Sequence, residues 1–331
     1  MGRHFYADAD IASIYRWFAE ETRDSSPTWT RVCRWVADTP TVIDRLDTLP
    51  GMKRQPQLFL AGLRWLGAPL APGPDLAEWI GAHWGELRTA IMEHSTQTNE
   101  AARTAGHLPV LAGLPGPIAL IEVGSSAGLC LVPDAYAFRY RIGEEAVELG
   151  QGRPLIDCTV SGATPVECRW GLPDIAHRVG IDIAPLDPRD PAVRRWLGCL
   201  VWPGQEEREV RLREALDVVA ARDVPVVTGD ALEELPAVVA DARELAPTVV
   251  VMHTATLSYL PRGRRAAFGS LVAGLGARWL SCEGERVVPQ VRDRLVGADT
   301  RPGFVLALDG RPLARVGAHG GWIDWLPTPA R

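Results

Sequence analysis

The chain has 331 residues, 47% hydrophobic and 23% charged, with a formal net charge of −6 and no long basic run. That composition suits a globular protein with a sizeable core, on a length that suggests about two domains, and it argues against nucleic acid as a partner. Lys53 is the only lysine and stands outside any glycine-rich turn, which excludes a phosphate-loop lysine or a pyridoxal Schiff base at any other position. The six cysteines form no C-x-x-C pair, so reduced thiols and no metal site are expected. No run of about 18 apolar residues occurs, and Gly2-Arg3-His4-Phe5 does not open a signal region. A cytoplasmic protein without a membrane partner is the expectation.

Residues 1–113 read as a helical domain. Ile11, Ile14, Tyr15 and Phe18 recur at helical spacing, as do Trp29, Val32, Cys33 and Val36. An apolar segment from Leu58 to Leu66 ends at Gly67, and Asp75 is placed to cap the helix that carries Trp79, Ile80 and Trp84. Leu114-Pro115-Gly116-Pro117 breaks the pattern.

From residue 114 to 331 short apolar runs alternate with helices, the mark of an α/β domain with a mostly parallel, Rossmann-like sheet. Strands are expected at Ile118–Val123, Arg178–Ile183, Val224–Thr228, Thr248–His253, Ala277–Cys282 and Phe304–Leu308. The alternation of Phe138, Tyr140 and Ile142 predicts a β-hairpin insertion at about 136–177. Asp309-Gly310 predicts a hairpin turn whose strands run antiparallel at the sheet edge. In the helix after Gln205, Glu207–Arg211 and Glu209–Arg213 read as i,i+4 pairs on a solvated face.

The strongest local signal is Glu122-Val123-Gly124-Ser125-Ser126-Ala127-Gly128, a strand ending in a small-residue turn that opens into a helix. Such turns let a ligand approach backbone N–H groups. A dinucleotide G-x-G-x-x-G fails here at Ser126 and Leu129. The acid-x-G-x-G-x-G pattern of methyltransferases fits with Ser126 in place of the middle glycine. Tight strand–helix packing is the competing account of the glycines. Asp182, closing the second strand, is placed to accept ribose hydroxyls, with Asp187 in reserve. Asp230 and Ala231 close the third strand, where methyltransferases place an acid and a backbone amide against adenine, although Asp230 also suits a helix cap. His253 closes the fourth strand as a candidate general base, with Tyr259 and Ser258 beside it. Glu283 ends the next strand, and His319 receives no role. Gly124-Ser125-Ser126-Ala127-Gly128 also matches G-x-S-x-G, but a nucleophile elbow follows earlier strands, which this turn does not.

Taken together, Gln97-Thr98-Asn99-Glu100 with Arg103, the Glu122–Leu129 turn, Asp182–Asp187, Val201-Trp202-Pro203, Gly229-Asp230-Ala231 and His319-Gly320-Gly321-Trp322 resemble a bacterial family, domain of unknown function 2332. That family resembles class I S-adenosylmethionine-dependent methyltransferases with a helical N-terminal extension. Cys130 stands where asparagine is common after the glycine turn. The resemblance implies S-adenosylmethionine as cofactor, held by Glu122, Gly124, Ser125, Ser126, Gly128, Asp182, Asp230 and Ala231. It also draws Gln97, Asn99, Glu100 and Arg103 toward the crevice, where with Tyr259 they would contact substrate; a helix-to-domain bracket is the plainer alternative. The leading expectation is methyl transfer to a small-molecule O or N nucleophile. A catalytically degenerate binding protein and a serine hydrolase using Ser126 with His253 or His319 are the alternatives, and the oligomeric state is unknown.

Overall fold

The computed structural model describes residues 9–97, 99–295 and 303–327. The expected start of the chain and Thr98 lie outside the described residues. The chain divides into two compact units, Met1–Thr98 with Asp190–Val210, and Asn99–Arg189 with Arg211–Arg331.

The first unit is helical: α1 (Ile11–Glu21), α2 (Pro27–Ala37), α3 (Pro40–Asp47), α4 (Pro56–Leu66) and α5 (Pro74–Glu93). Proline opens four of these five helices, where its fixed φ suits the first turn and its missing N–H costs nothing. Asp10 caps α1 through Ser13 N–H at 2.9 Å, and Gly67 ends α4 at φ +73°. Asp75 proves to be a first-turn acid, because the cap position falls on Gly73. Ile14, Tyr15, Phe18, Trp29, Leu46 and Phe59 form the core.

Helix α6 (Thr104–Gly113) opens the second unit, and α7 (Pro191–Leu200) returns to the first. Trp196 of α7 enters the helical core, and Arg64 donates to Gly198 O at 2.8 Å and to Val201 O, covering carbonyls that the end of α7 leaves unpaired. Helix α8 (Glu206–Arg222) corrects the expected surface pairs. Arg211 turns to Glu100 and Glu209 meets Arg64, while Leu212, Leu216 and Val219 are buried as their spacing requires.

The second unit holds one 11-stranded mixed sheet. Its strands are β1 (Ile118–Val123), β2 (Ala137–Ile142), β3 (Glu145–Leu149), β4 (Leu155–Ser161), β5 (Ile175–Asp182), β6 (Val226–Thr228), β7 (Thr248–Thr254), β8 (Arg278–Glu283), β9 (Phe304–Leu308), β10 (Arg311–Val316) and β11 (Trp322–Trp325). They lie in the order β3-β2-β4-β11-β10-β9-β8-β7-β1-β5-β6. The block β6-β5-β1-β7-β8 is parallel throughout, and β1 is buried along its whole length. Burial on both faces accounts for unbroken apolar runs such as Val249-Val250-Val251-Met252. Odd-numbered residues of β1 and β7 pack on Leu235, Val239, Phe268 and Val272 of α9 (Ala231–Arg243) and α10 (Arg262–Gly274). The sheet order reverses beside β1, whose neighbours β5 and β7 come later from opposite sides, so a crevice lies at their carboxyl ends.

Two expectations are corrected. The turn after β1 opens into two three-residue 3₁₀ turns, Leu129–Leu131 and Pro133–Ala135, rather than a helix. Pro133 is the cause: its ring excludes Val132 from helical geometry, and Val132 sits at φ −123°, ψ 43°. The chain runs instead into the β2–β3 hairpin. The antiparallel pair β9–β10, joined at Asp309-Gly310 as expected, lies inside the sheet. Strand β11 continues beyond it and pairs in parallel with β4, which moves the edge out to β3.

Candidate functional site

The site is built on the turn leaving β1. Gly124, Ser126 and Gly128 all take positive φ, at +73°, +53° and +78°. For Ser126 this is strained backbone, and it is braced from two sides. Ser126 N–H donates to Asp182 Oδ2 at 2.8 Å, so the acid closing β5 does face the turn. Asn99 Nδ2 donates to Ser126 Oγ at 3.0 Å, and Asn99 Oδ1 accepts Ala127 N–H at 3.2 Å. Gly124 N–H reaches Ile181 O at 2.8 Å and Gly128 N–H reaches Ser125 O at 2.7 Å. Asp182 Oδ1 accepts Ala184 N–H at 2.8 Å. Asn99, Gly124, Ser126 and Asp182 are half-buried and Ile183 is 75% exposed, which makes this the solvent-reaching rim of the turn.

The strap from Asn99 to Arg103 is itself anchored. Glu100, 3% exposed, takes a bidentate pair from Arg211 at 2.7 and 3.2 Å and also accepts Ala102 N–H at 3.1 Å. Arg103 Nε donates to Ala318 O at 2.9 Å. A Cβ at Gly320 would come within 1.8 Å of Ala102 O, so only glycine lets the 317–320 loop lie this close. The separate sequence motifs at 99–103, 122–128, 182 and 317–320 thus meet. Gln97 belongs to the helical unit.

Beneath the turn, on the sheet face opposite α9 and α10, Glu122 is 4% exposed. Burial, reinforced by the negative charge of Asp182 and opposed by Arg103, pushes its carboxyl up to about 8. His107 of α6 joins Thr254 Oγ1 through Nε2 at 3.1 Å, and burial with the Arg103 charge holds its imidazole down to about 3. Glu122 Oε2, Ser125 Oγ and His107 Nδ1 are buried without a hydrogen-bond partner. The thiols of Cys130 and Cys282 are driven upward by burial, which leaves them poor nucleophiles. Among the described residues no three His, Cys, Asp or Glu side chains converge to hold a metal.

His253 lies elsewhere. Alternation along β7 puts it with Val249 and Val251 on the opposite, core face, where it is wholly buried against Phe268 and Trp279. Trp279 Nε1 can only donate, so His253 Nε2 accepts it at 2.9 Å and the ring proton sits on Nδ1, donated to Glu283 Oε1 at 2.8 Å. No lone pair remains to take a substrate proton. Glu283 Oε1 also accepts Thr256 N–H and Leu257 N–H, each at 2.8 Å. The trio therefore fixes the loop after β7 and seats Thr256 over Gly124, where an added Cβ would lie 2.4 Å from Thr256 Oγ1. Thr256, Thr254 and His107 carry no motif, and sequence reading missed them. The hydrolase reading loses His253 as its base by the same bonds.

Asp230 caps α9 through Leu232 N–H at 2.9 Å and takes Arg264 at 2.7 Å, both on Oδ1; Ala231 is the first residue of that helix. Tyr259 is 50% exposed on a 3₁₀ turn. Among the described residues no helix is long and apolar enough to cross a membrane. Neither a curated protein nor a solved structure matches the chain. A family model described as an uncharacterized protein conserved in bacteria (DUF2332) matches residues 12–325, and the chain belongs to that family.

Proposed function

We propose that the second unit has a class I methyltransferase-type, Rossmann-like sheet and binds S-adenosylmethionine at the carboxyl ends of β1 and β5, for transfer to a small-molecule O or N nucleophile. One observation carries this reading: Asp182 aims its carboxylate at the β1 turn at the point where the sheet order reverses. Asp182 Oδ2 accepts Ser126 N–H and Oδ1 accepts Ala184 N–H, so lone pairs remain for a ribose diol. Ile183 follows it, 75% exposed, and offers apolar surface for a purine face. In these respects the residues fit the cofactor. Gly124 does not bear on the fit, because Thr256 alone explains its lack of a side chain.

The bound cofactor supplies an activated methyl carbon. Asp182 would hold the sugar, and the braced Ser126 turn would fix its depth. Asp230 spends Oδ1 on the α9 cap and on Arg264, which leaves Oδ2 for an adenine contact. His253 holds the β7 loop and moves no proton.

A second reading, a binding protein of this fold without turnover, is favoured by Thr256 lying over Gly124 and by turn amides already bonded within the chain. Isothermal titration with S-adenosylmethionine and S-adenosylhomocysteine tests both. Heat with methyl transfer to an added nucleophile supports the first, heat without transfer across a broad panel supports the second, and silence at high micromolar ligand removes both.

A further inference from the structure

Resting on that reading, we propose that Asn99 is a gate, a neutral stand-in for the carboxylate at the amino-acid end of the cofactor, and that the cofactor must displace it. The turn amides carry the argument. Gly124 and Gly128 N–H are committed to backbone carbonyls, and Ser126 N–H to the Asp182 carboxylate. Ala127 N–H is the one held by a side chain from another segment of lesser charge, a carboxamide oxygen at 3.2 Å. A carboxylate at that position makes a shorter, charge-assisted bond about twice as strong. Exchange of Asn99 for a ligand carboxylate is therefore favourable at the amide.

The strap allows the exchange without unfolding. Glu100 is locked to Arg211 and Arg103 to Ala318, so the backbone on one side of Asn99 stays fixed while its side chain turns about two torsions. Asn99 acts through the turn and touches no reacting atom. It is a positioning residue.

The test compares two probes that share adenosine and sulfur but differ in the amino-acid end. S-adenosylhomocysteine carries the carboxylate and methylthioadenosine lacks it. Titration against wild type, Asn99→Ala and Asn99→Asp should show S-adenosylhomocysteine bound about fivefold more tightly by N99A and about tenfold more weakly by N99D, whose own carboxylate saturates Ala127 N–H. Methylthioadenosine should move less than about twofold in either variant, a split that a merely structural effect of Asn99 does not produce. If N99A shifts both probes alike, or weakens S-adenosylhomocysteine, the gate is overturned while the adenosyl site stands. If neither probe binds any variant, the adenosyl reading falls and takes the gate with it. Circular dichroism verifies folding, and N99S replaces N99A should alanine unfold the turn.

Discussion

Glu122→Gln isolates the buried carboxyl beneath the turn. The folded protein keeps the Glu122 proton up to about pH 8, whereas the unfolded chain releases it near the ordinary 4.5. Between those values the unfolded chain binds fewer protons, so stability falls as pH rises. The contribution of the neutral acid is complete below 4.5 and fully lost above about 8. At 1.36 kcal/mol per pH unit that interval is worth about 5 kcal/mol as a ceiling. Glutamine has nearly the same shape and cannot ionise. His107, held down to about 3, loses its own contribution as pH falls below 6.5, but it does so in both proteins and cancels in their difference. Urea unfolding followed by circular dichroism should therefore find the two proteins within about 1 kcal/mol at pH 4.5 and E122Q ahead by about 3–5 kcal/mol at pH 8.5. Parallel curves across that range would refute the reasoning, because they would mean a hydrated or already ionised carboxyl.

Three further substitutions probe the braces around the turn. Gly124→Ala puts a Cβ into Thr256 at φ +73°, and should cost about 2–4 kcal/mol, part of it recovered in G124A/T256A; a loss that T256A leaves untouched removes Thr256 from the account. His253→Phe leaves the Trp279 N–H unpaired and Glu283 short of a donor, and should lower stability by about 2–4 kcal/mol; an unchanged thermal midpoint would return His253 to the list of candidate bases. Arg211→Met removes the bidentate guanidinium from the buried Glu100 carboxylate, for a loss of about 2–4 kcal/mol once the partial exposure of Arg211 is allowed for, and E100Q/R211M should regain most of it. A double variant as weak as R211M would show that the charge pairing is immaterial.

What the sequence made legible was local and periodic. The apolar runs of β1 and β9 give both strands at their observed bounds, because a strand buried on both faces needs nothing else to declare itself. Asp182 facing the turn could be anticipated from its place at a strand end, whereas Asn99, Glu100 and Arg103 came into view only through the family resemblance. Long-range pairing could not be anticipated. Pro191–Leu200 spells an amphipathic helix, but nothing in that pattern says its apolar stripe joins the helical core rather than the sheet. The missing helix after β1 was readable in principle from Val132-Pro133, a local veto outranked in reading by the glycine turn. His253 closes a strand, but a strand end does not by itself face the crevice. Its parity with Val249 and Val251 already assigned it to the core.

The two faces of the central strands treat their buried polar groups differently, and the difference says where chemistry has room. Toward α9 and α10, Glu283 Oε1 collects three donors and both His253 nitrogens are engaged, a network that rigidifies the loop carrying Thr256, although Glu283 Oε2 has no partner. Toward α6, Glu122 Oε2, Ser125 Oγ and His107 Nδ1 are all orphaned within one neighbourhood, directly under the turn that Asp182 and Asn99 brace. Leaving a buried polar atom unpaired costs about 1–3 kcal/mol each. A protein with only structure to maintain gains from apolar replacements at such positions. The unpaired groups sit on the sheet face that Asp182 shares by register, beside the displaceable Asn99, and that face, not the histidine, has room for whatever this fold binds.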